Sequence, residues 1–244
     1  MAGLTYTTYK TQIAQMAVVA EDDPNFLEIL PMMIDYASLR ICRDLDLMFT
    51  SVSLSGAGYQ LTAGNRNLSF SQDLGDGTSF VVSEQINLIT PSGQSDPDAA
   101  TRVPLMPTTK EFLDAVYGSA TNTAQPKYFV PFNETLFFVG PTPNADYYVE
   151  VVGTIRPAPL SATVPTTFIS QYLPDLLVMA SMIYISAYQR NFGKESDDPA
   201  MAMSYESQYQ LLLKSAVVEE ARKKFDAAAW SSQSPATVAS PTRG

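Results

Sequence analysis

The segment DYYVEVVGTIRPAP, residues 146–159, decides the fold, because the chain changes there from strand to helix. Its first part, Asp146–Ile155, is rich in β-branched and aromatic side chains and predicts a strand. The run Arg156-Pro157-Ala158-Pro159 ends the sheet, since proline cannot donate a hydrogen bond to a neighbouring strand. Downstream, Pro174-Asp175 starts an apolar run that ends near Gly193 and predicts a buried central helix.

Further strands precede this segment. Lys127–Phe132 and Thr135–Val139 are predicted to form a hairpin with a tight turn at Asn133-Glu134. A short helix is predicted over Thr108–Tyr117, capped by Thr108 or Thr109. The remaining strand predictions are Phe49–Ser55, Tyr59–Leu61, Asn67–Phe70, Ser79–Val82 and Gln85–Thr90. The whole region 49–160 is therefore predicted to be β-rich and antiparallel.

Helical periodicity frames this region on both sides. Apolar residues at steps of three and four predict a helix over Thr5–Val19. A second helix follows Pro24, and Pro31 should kink it or mark its true start. The last helix is predicted from Pro199 to about Asp226, with a stripe that includes Tyr209 and Val217. Its basic run Arg222-Lys223-Lys224 is predicted to occupy the last turn, where cations complement the helix dipole.

These patterns predict an α+β fold: a helical bundle formed by the N- and C-terminal segments, with a β-rich antiparallel insertion. The predicted divisions are residues 1–48 and 161–226 for the bundle, 49–160 for the insertion and 227–244 for an extended C-terminal tail. That tail is rich in Ser, Ala, Thr and Pro and has no periodicity, so it should order only on binding a partner. A parallel doubly wound sheet is not expected, because strands and helices do not alternate.

Composition excludes several classes of function. The 244 residues include no histidine and one cysteine, Cys42, which excludes histidine-dependent catalytic triads and cysteine-cluster metal sites. We predict Cys42 to be a small core residue. The net charge of −10 is not that of a protein with a broad nucleic-acid-binding footprint. No signal peptide is predicted at the start, and the apolar run Leu176–Tyr188 is too short to span a bilayer.

Candidate catalytic and metal-binding groups have simpler interpretations. Asp73, Asp76, Asp96 and Asp98 lack the spacing of a calcium loop, and polar turn chemistry explains them better. Carboxylate pairs for glycoside hydrolysis are not singled out by the sequence. Glycine-rich phosphate loops are absent, so no cofactor is predicted.

The order and spacing of several segments resemble those of the head-to-tail adaptor, or connector, proteins of tailed bacteriophages. The resemblance covers about residues 5–227 and is closest to the adaptors of short-tailed phages; the tail tubular protein below the portal in T7-like phages is similar in plan. The segments that carry it are Phe26–Ala37, Arg40–Leu47, Pro126–Phe129, Leu136–Pro143, Tyr148–Val151 and Tyr172–Leu177.

This resemblance implies a non-enzymatic structural protein of the virion neck and tail, assembled in the host cytoplasm. It implies a dodecameric homo-oligomer ring that binds the portal protein on one side and a downstream tail or nozzle protein on the other. DNA would pass through its channel without specific binding. Two alternatives are a particle-associated cell-wall hydrolase with paired carboxylates and a host-surface module that binds a glycan.

The C-terminal tail supplies the predicted portal-binding residues. Trp230 is the only tryptophan and is suited to anchor in a pocket of the portal. Pro235 and Pro241 keep the segment extended, which lowers the entropy lost on docking. Arg243 is available to pair with an acidic portal residue.

Overall fold

The computed structural model describes residues 3–190 and 199–228 and contains both helices and strands. The α-helices of the described residues are α1 Tyr6–Met16, α2 Pro24–Asp44, α3 Lys110–Val116, α4 Phe168–Tyr172, α5 Pro174–Arg190 and α6 Pro199–Ala228. The strands are β1 Ser51–Leu54, β2 Gln60–Leu61, β3 Asn67–Ser69, β4 Asp73–Gly75, β5 Thr78–Thr90, β6 Thr101–Pro104, β7 Met106–Pro107, β8 Thr123–Ala124, β9 Tyr128–Pro131, β10 Leu136–Gly140, β11 Thr142–Pro143 and β12 Tyr147–Arg156. The predicted α+β class, with a mainly antiparallel sheet, is confirmed.

The chain divides into two compact units. The helical unit comprises Met1–Met48 together with Pro159–Gly244, and the sheet unit comprises Phe49–Ala158. The chain thus leaves the helical unit after α2, forms the sheet unit and then returns. Each unit has a hydrophobic core of its own.

Helix α5 is the central element of the helical unit and contacts α1, α2, α4 and α6. Its residues Leu177, Ala180 and Ile185 are almost completely buried, as expected for a helix with apolar side chains nearly all round. A buried hydroxyl pair also joins α5 to α1, with Tyr9 Oη and Ser181 Oγ 2.5 Å apart. Burial raises the pKa of the Tyr9 phenol, so this group stays protonated.

The two N-terminal helices begin at side-chain caps. Thr5 caps α1, and its Oγ1 accepts a hydrogen bond from the Thr8 amide. Asp23 caps α2 ahead of Pro24, accepting from the Asn25 and Phe26 amides. The prediction that Pro31 marks the true start of this helix is wrong, because α2 runs through it. Pro31 lies on the exposed side of α2. It has no amide hydrogen to donate to the Leu27 carbonyl one turn earlier, and water can hydrogen-bond to that carbonyl instead.

The end of α6 lies within two residues of the predicted one, but the prediction that its basic run occupies the last turn is wrong. The helix continues to Ala228, so Arg222, Lys223 and Lys224 lie before its last turn. Two of these side chains form ion pairs instead of the expected dipole interaction: Lys223 Nζ donates to the buried Glu220 at 2.7 Å, and Lys224 pairs with Asp46 of the segment after α2.

The main sheet has the strand order β1-β12-β5-β4, with β6 also pairing with β5 and β2 with β12. The separate strands predicted at 79–82 and 85–90 are one continuous strand, β5. Two register shifts against β12, where Val81 and Glu84 are the extra residues, interrupt its side-chain alternation. That interruption is why the sequence pattern reads as two strands.

A second sheet has the order β3-β10-β9-β7, and β8 pairs with β11. The β7–β9 and β8–β11 pairs are parallel, so the prediction of a wholly antiparallel insertion is wrong for these short strands. The core of the sheet unit includes Leu61, Leu68, Phe80, Ile86, Leu88, Phe137, Val139, Val149 and Val151. Gly153 permits close strand approach, since a Cβ there would lie 2.2 Å from the Val82 carbonyl oxygen.

Candidate functional site

An exposed apolar stripe runs along α6. Leu211, Val218 and Phe225 follow one another at seven-residue steps and are 65%, 49% and 68% exposed. Seven residues make about two helical turns, so these side chains lie on one face. Tyr209 and Ala216 are buried on the opposite side, towards the core. We define the α6 outer face as Ser207, Leu211, Lys214, Val218, Ala221, Arg222 and Phe225.

The C-terminal half of this face borders an open groove of about 800 Å³. Its described lining consists of Val217, Val218, Ala221, Arg222, Lys223 and Phe225. Val217 was predicted to belong to the core stripe and is instead about half exposed. The groove therefore combines apolar walls with two cationic side chains, as protein-binding surfaces commonly do.

A second exposed face lies on α2, opposite the side that packs against α5. We define the α2 outer face as the exposed Leu27, Glu28, Met32 and Asp35 with the half-buried Leu39 at its end. Tyr36 lies at the edge of this face, with its ring centre 5.2 Å from that of Tyr184 on α5. Partial burial raises the pKa of the Asp35 carboxyl above its ordinary value. This face thus presents two carboxylates among apolar side chains.

Polar side chains hold α2 and α6 together behind these faces. Arg40 donates from Nη1 and Nη2 to the two carboxylate oxygens of Glu206, at 2.8 and 2.6 Å. Its guanidinium also lies 4.3 Å from the centre of the Tyr209 ring, and Tyr209 Oη donates to Asp44 Oδ2 at 2.8 Å. The hydrogen bonds from Arg40 lower the pKa of Glu206. Because bidentate pairs fix geometry, these contacts set the rotation of α6 against α2.

The strongest carboxylate network of the sheet unit surrounds Glu150 on β12. Its Oε1 accepts from Ser53 Oγ at 2.8 Å, and its Oε2 accepts from Asn87 Nδ2 and Arg102 Nε at 2.8 and 2.9 Å. Burial opposes ionisation, but the hydrogen bonds from Asn87, Arg102 and Ser53 outweigh it and lower the pKa of Glu150. Arg102 also pairs with Asp98 at 2.7 Å. A buried carboxylate held ionised by three donors is typical of a structural tie between strands.

The aspartates considered for calcium binding have local roles. Asp73 Oδ1 accepts from the Gly75 amide, and Asp96 Oδ1 accepts from the Asp98 amide, both at 2.9 Å. Across residues 3–190 and 199–228, no group of three or more acidic or cysteine side chains is arranged to hold a metal ion. Cys42, predicted to be a core residue, is only partly buried.

A smaller cavity of about 220 Å³ lies in the sheet unit. It is lined by Arg66, Asn67, Lys110, Leu113, Asp114 and Phe138. Lys110 Nζ donates to Asp114 Oδ2 at 2.6 Å, and this contact lowers the pKa of Asp114. The cavity's carboxylate is thus already paired with one of its cations.

The predicted portal-binding residues Trp230, Pro235, Pro241 and Arg243 lie outside the described residues, so the structure does not place them. The α6 outer face was missed by the sequence reasoning. Its signal was present in the seven-residue spacing of Leu211, Val218 and Phe225, but a competing stripe through Tyr209 and Ala216 fits the core. No helix within the described part of the chain combines the length and apolarity needed to cross a bilayer.

The helical unit thus presents two exposed apolar faces, one with cationic and one with acidic side chains, a composition common in protein-binding surfaces. Over residues 4–239 the chain matches the family described as SU10 adaptor protein. The chain belongs to this family and is a phage adaptor protein, a structural component of the virion. Among curated proteins none matches it.

Proposed function

We propose that the protein forms a ring that joins the portal to the tail and continues the DNA channel. The observation that carries this proposal is membership of an adaptor family over nearly the whole chain. The helical unit adds support, because two different exposed faces on one subunit suit the head-to-tail contacts from which rings are built.

The proposed plan is that of the tail tubular protein below the portal in T7-like phages. The ring is dodecameric and forms on the portal, and a downstream tail or nozzle protein binds its far side. Each subunit has a core of its own, so the isolated protein should fold and remain largely monomeric at micromolar concentration. A ring that waits for the portal avoids competing with ordered assembly.

The DNA in this channel is proposed to pass without specific binding. The chain has 25 acidic and 15 basic residues, a net charge of −10. Tight binding of the phosphate backbone requires a cationic lining that releases counterions. A lumen formed by acidic subunits would repel DNA weakly and so favour its passage.

The C-terminal tail is proposed to tether each subunit to the portal. Trp230 would be the anchor in a portal pocket, and Pro235 and Pro241 would keep the approach extended. Arg243 would pair with a portal carboxylate. Backbone groups between them would add a strand to an exposed sheet edge of the portal.

The hydrolase and glycan-binding alternatives have no specific observation in their favour. The most buried carboxylate of the sheet unit, Glu150, already accepts three side-chain hydrogen bonds. A zymogram on purified cell wall tests the hydrolase directly, and clearing around the purified protein would contradict the structural role.

Imaging of intact virions tests the proposed ring. An asymmetric reconstruction of the neck should place this chain on the particle axis, directly next to the portal, in twelve copies. Particles assembled without the protein should contain a portal without a tail. Density for the chain at a fibre tip or on the capsid surface would refute the proposal.

A further inference from the structure

The α6 outer face has the spacing of a helix-packing seam. Ser207, Leu211, Lys214, Val218, Ala221 and Phe225 follow one another at alternating steps of four and three. This pattern aligns side chains along one line of a helix and suits packing against a second helix. At 1.5 Å per residue the seam is about 27 Å long.

The α2 outer face contains a shorter seam of the same kind. Glu28, Met32, Asp35 and Leu39 follow at steps of four, three and four. The first three are exposed and Leu39 is half-buried. This seam is about 17 Å long and lies opposite the side of α2 that contacts α5.

The charges within the two seams have opposite sign. Lys214 lies in the α6 seam and Arg222 at its edge, about 12 Å apart along the axis. Glu28 and Asp35 lie in the α2 seam, about 10 Å apart. Within the described residues none of these four side chains forms an ion pair, whereas Arg40, Arg102 and Lys223 all do.

We propose that the α6 outer face of one copy packs against the α2 outer face of the next copy, so that these two helices form the lateral contact. The contact rests on the proposed ring and assigns its side surfaces. Pairing Lys214 and Arg222 with Glu28 and Asp35 satisfies all four charges among apolar side chains.

The same charges disfavour symmetric pairs. Two α6 outer faces would bring Lys214 and Arg222 against their own kind, and two α2 outer faces would bring carboxylates together. Only the unlike combination is complementary. When two copies pair through unlike faces, one α6 outer face and one α2 outer face remain free, so further copies can bind. Addition continues until the rotation between neighbours closes a ring. Cations within the seam also keep each contact weak, consistent with a monomer that assembles on a template.

Charge exchange tests the assignment without the portal. One variant is Lys214→Glu with Arg222→Glu, which makes both outer faces acidic. The other is Glu28→Lys with Asp35→Lys, which makes both basic. Sedimentation velocity at low salt, up to about 1 mM protein, measures self-association of each variant and of the wild type.

The wild type should self-associate at the upper concentrations. Each variant alone should self-associate with an affinity at least about tenfold lower. An equimolar mixture should regain association, because acidic and basic subunits then alternate. The quadruple variant, with both faces exchanged in one chain, should also regain it. Lys127→Glu and Glu134→Lys, at exposed positions of the sheet unit, are the matched controls and should behave as wild type.

Circular dichroism melting should be unchanged in every variant, because all four side chains are exposed. A wild type that stays monomeric at all concentrations would overturn the assignment. So would variants that associate like the wild type, or a mixture that does not recover. A chain that self-associates as expected but is absent from the portal in virions would refute the proposed adaptor ring and leave the lateral contact standing.

Discussion

Replacing Glu150 with Gln tests how the sheet unit is held together. The glutamine amide can keep the same hydrogen-bonding groups in place: its oxygen accepts from Asn87 and Arg102, and its NH₂ donates to the Ser53 hydroxyl. What is lost is the negative charge. Charge-assisted hydrogen bonds are about twice as strong as neutral ones, so Glu150→Gln should cost about 1–2 kcal/mol at pH 7.

Glu150→Ala should cost more. Asn87 is only 5% exposed, and truncation leaves its Nδ2 without the carboxylate that now accepts from it. A buried donor without an acceptor costs about 1–3 kcal/mol, in addition to the lost hydrogen bonds. The difference between the Gln and Ala variants therefore separates the charge from the network geometry.

The effect of Glu150→Gln should depend on pH. The folded state lowers the pKa of Glu150 below its ordinary value of 4.5. A carboxyl with a lowered pKa stabilises the folded state above its unfolded pKa, and this stability is lost as the pH falls through the folded value. The difference in free energy of unfolding between wild type and Glu150→Gln should thus be complete at pH 7 and should decrease below about pH 4.5.

Hydrogen exchange measured by mass spectrometry reports this stability locally. Peptides that cover β5 and β12 should exchange faster in the variant, whereas the exchange rate of peptides from α5 should equal that of the wild type. Glu134→Gln, the same replacement at an exposed position of the sheet unit, is the matched control and should exchange like the wild type. An equal difference in protection between wild type and Glu150→Gln at pH 7 and pH 4 would refute the reasoning. Protection at pH 7 that is the same in both proteins would also refute it.

Three further predictions concern other parts of the molecule. Tyr209→Phe removes the hydroxyl that donates to Asp44 and should lower the free energy of unfolding by about 1–2 kcal/mol in denaturant titrations; an unchanged midpoint would contradict this role. We expect the helical unit to face the portal and the sheet unit to contact the tail component, so deleting the loop 93–100 should leave portal attachment intact and weaken binding of the tail component in pull-downs; loss of portal attachment would show that this assignment is inverted. Removing residues 228–244 should leave thermal melting nearly unchanged but sharply reduce co-purification with the portal, and Trp230→Ala alone should cost about 2 kcal/mol or more of binding; full portal binding by the truncated chain would show that the tail is no tether.

Local chemistry explains which elements were predictable. Thr5, Asp23 and Thr109 occupy the caps that their side chains favour, and the helices that follow them begin within a residue or two of the predicted positions. The apolar run after Pro174 was identified as the central helix because a helix without a polar side can only be buried. These predictions depend on neighbouring residues alone.

The errors arise where contacts with a segment distant in sequence determine the local structure. The break in alternation near Val81 and Glu84 suggested two strands, but pairing with β12 absorbs both residues as bulges in one strand. Each parallel pair, β7–β9 and β8–β11, contains at least one strand of only two residues, which is too short to give a sequence pattern. Pro31 remains inside α2 because packing of the rest of the helix outweighs the lost hydrogen bond.

The sequence by itself determined the class of the fold, the order of helices and strands, most helix starts and the absence of histidine chemistry, because periodicity, capping and composition are local properties of the chain. Only the tertiary structure decided which apolar residues of α6 are core and which are surface, and that Arg40 and Glu150 are structural ties between distant elements. Two stripes on one helix look alike in sequence, and the difference between them is whether another helix covers them. Helix α6 packs against α5, and Tyr209 also contacts Arg40 and Asp44 of α2, whereas the stripe through Leu211, Val218 and Phe225 has no cover among the described residues.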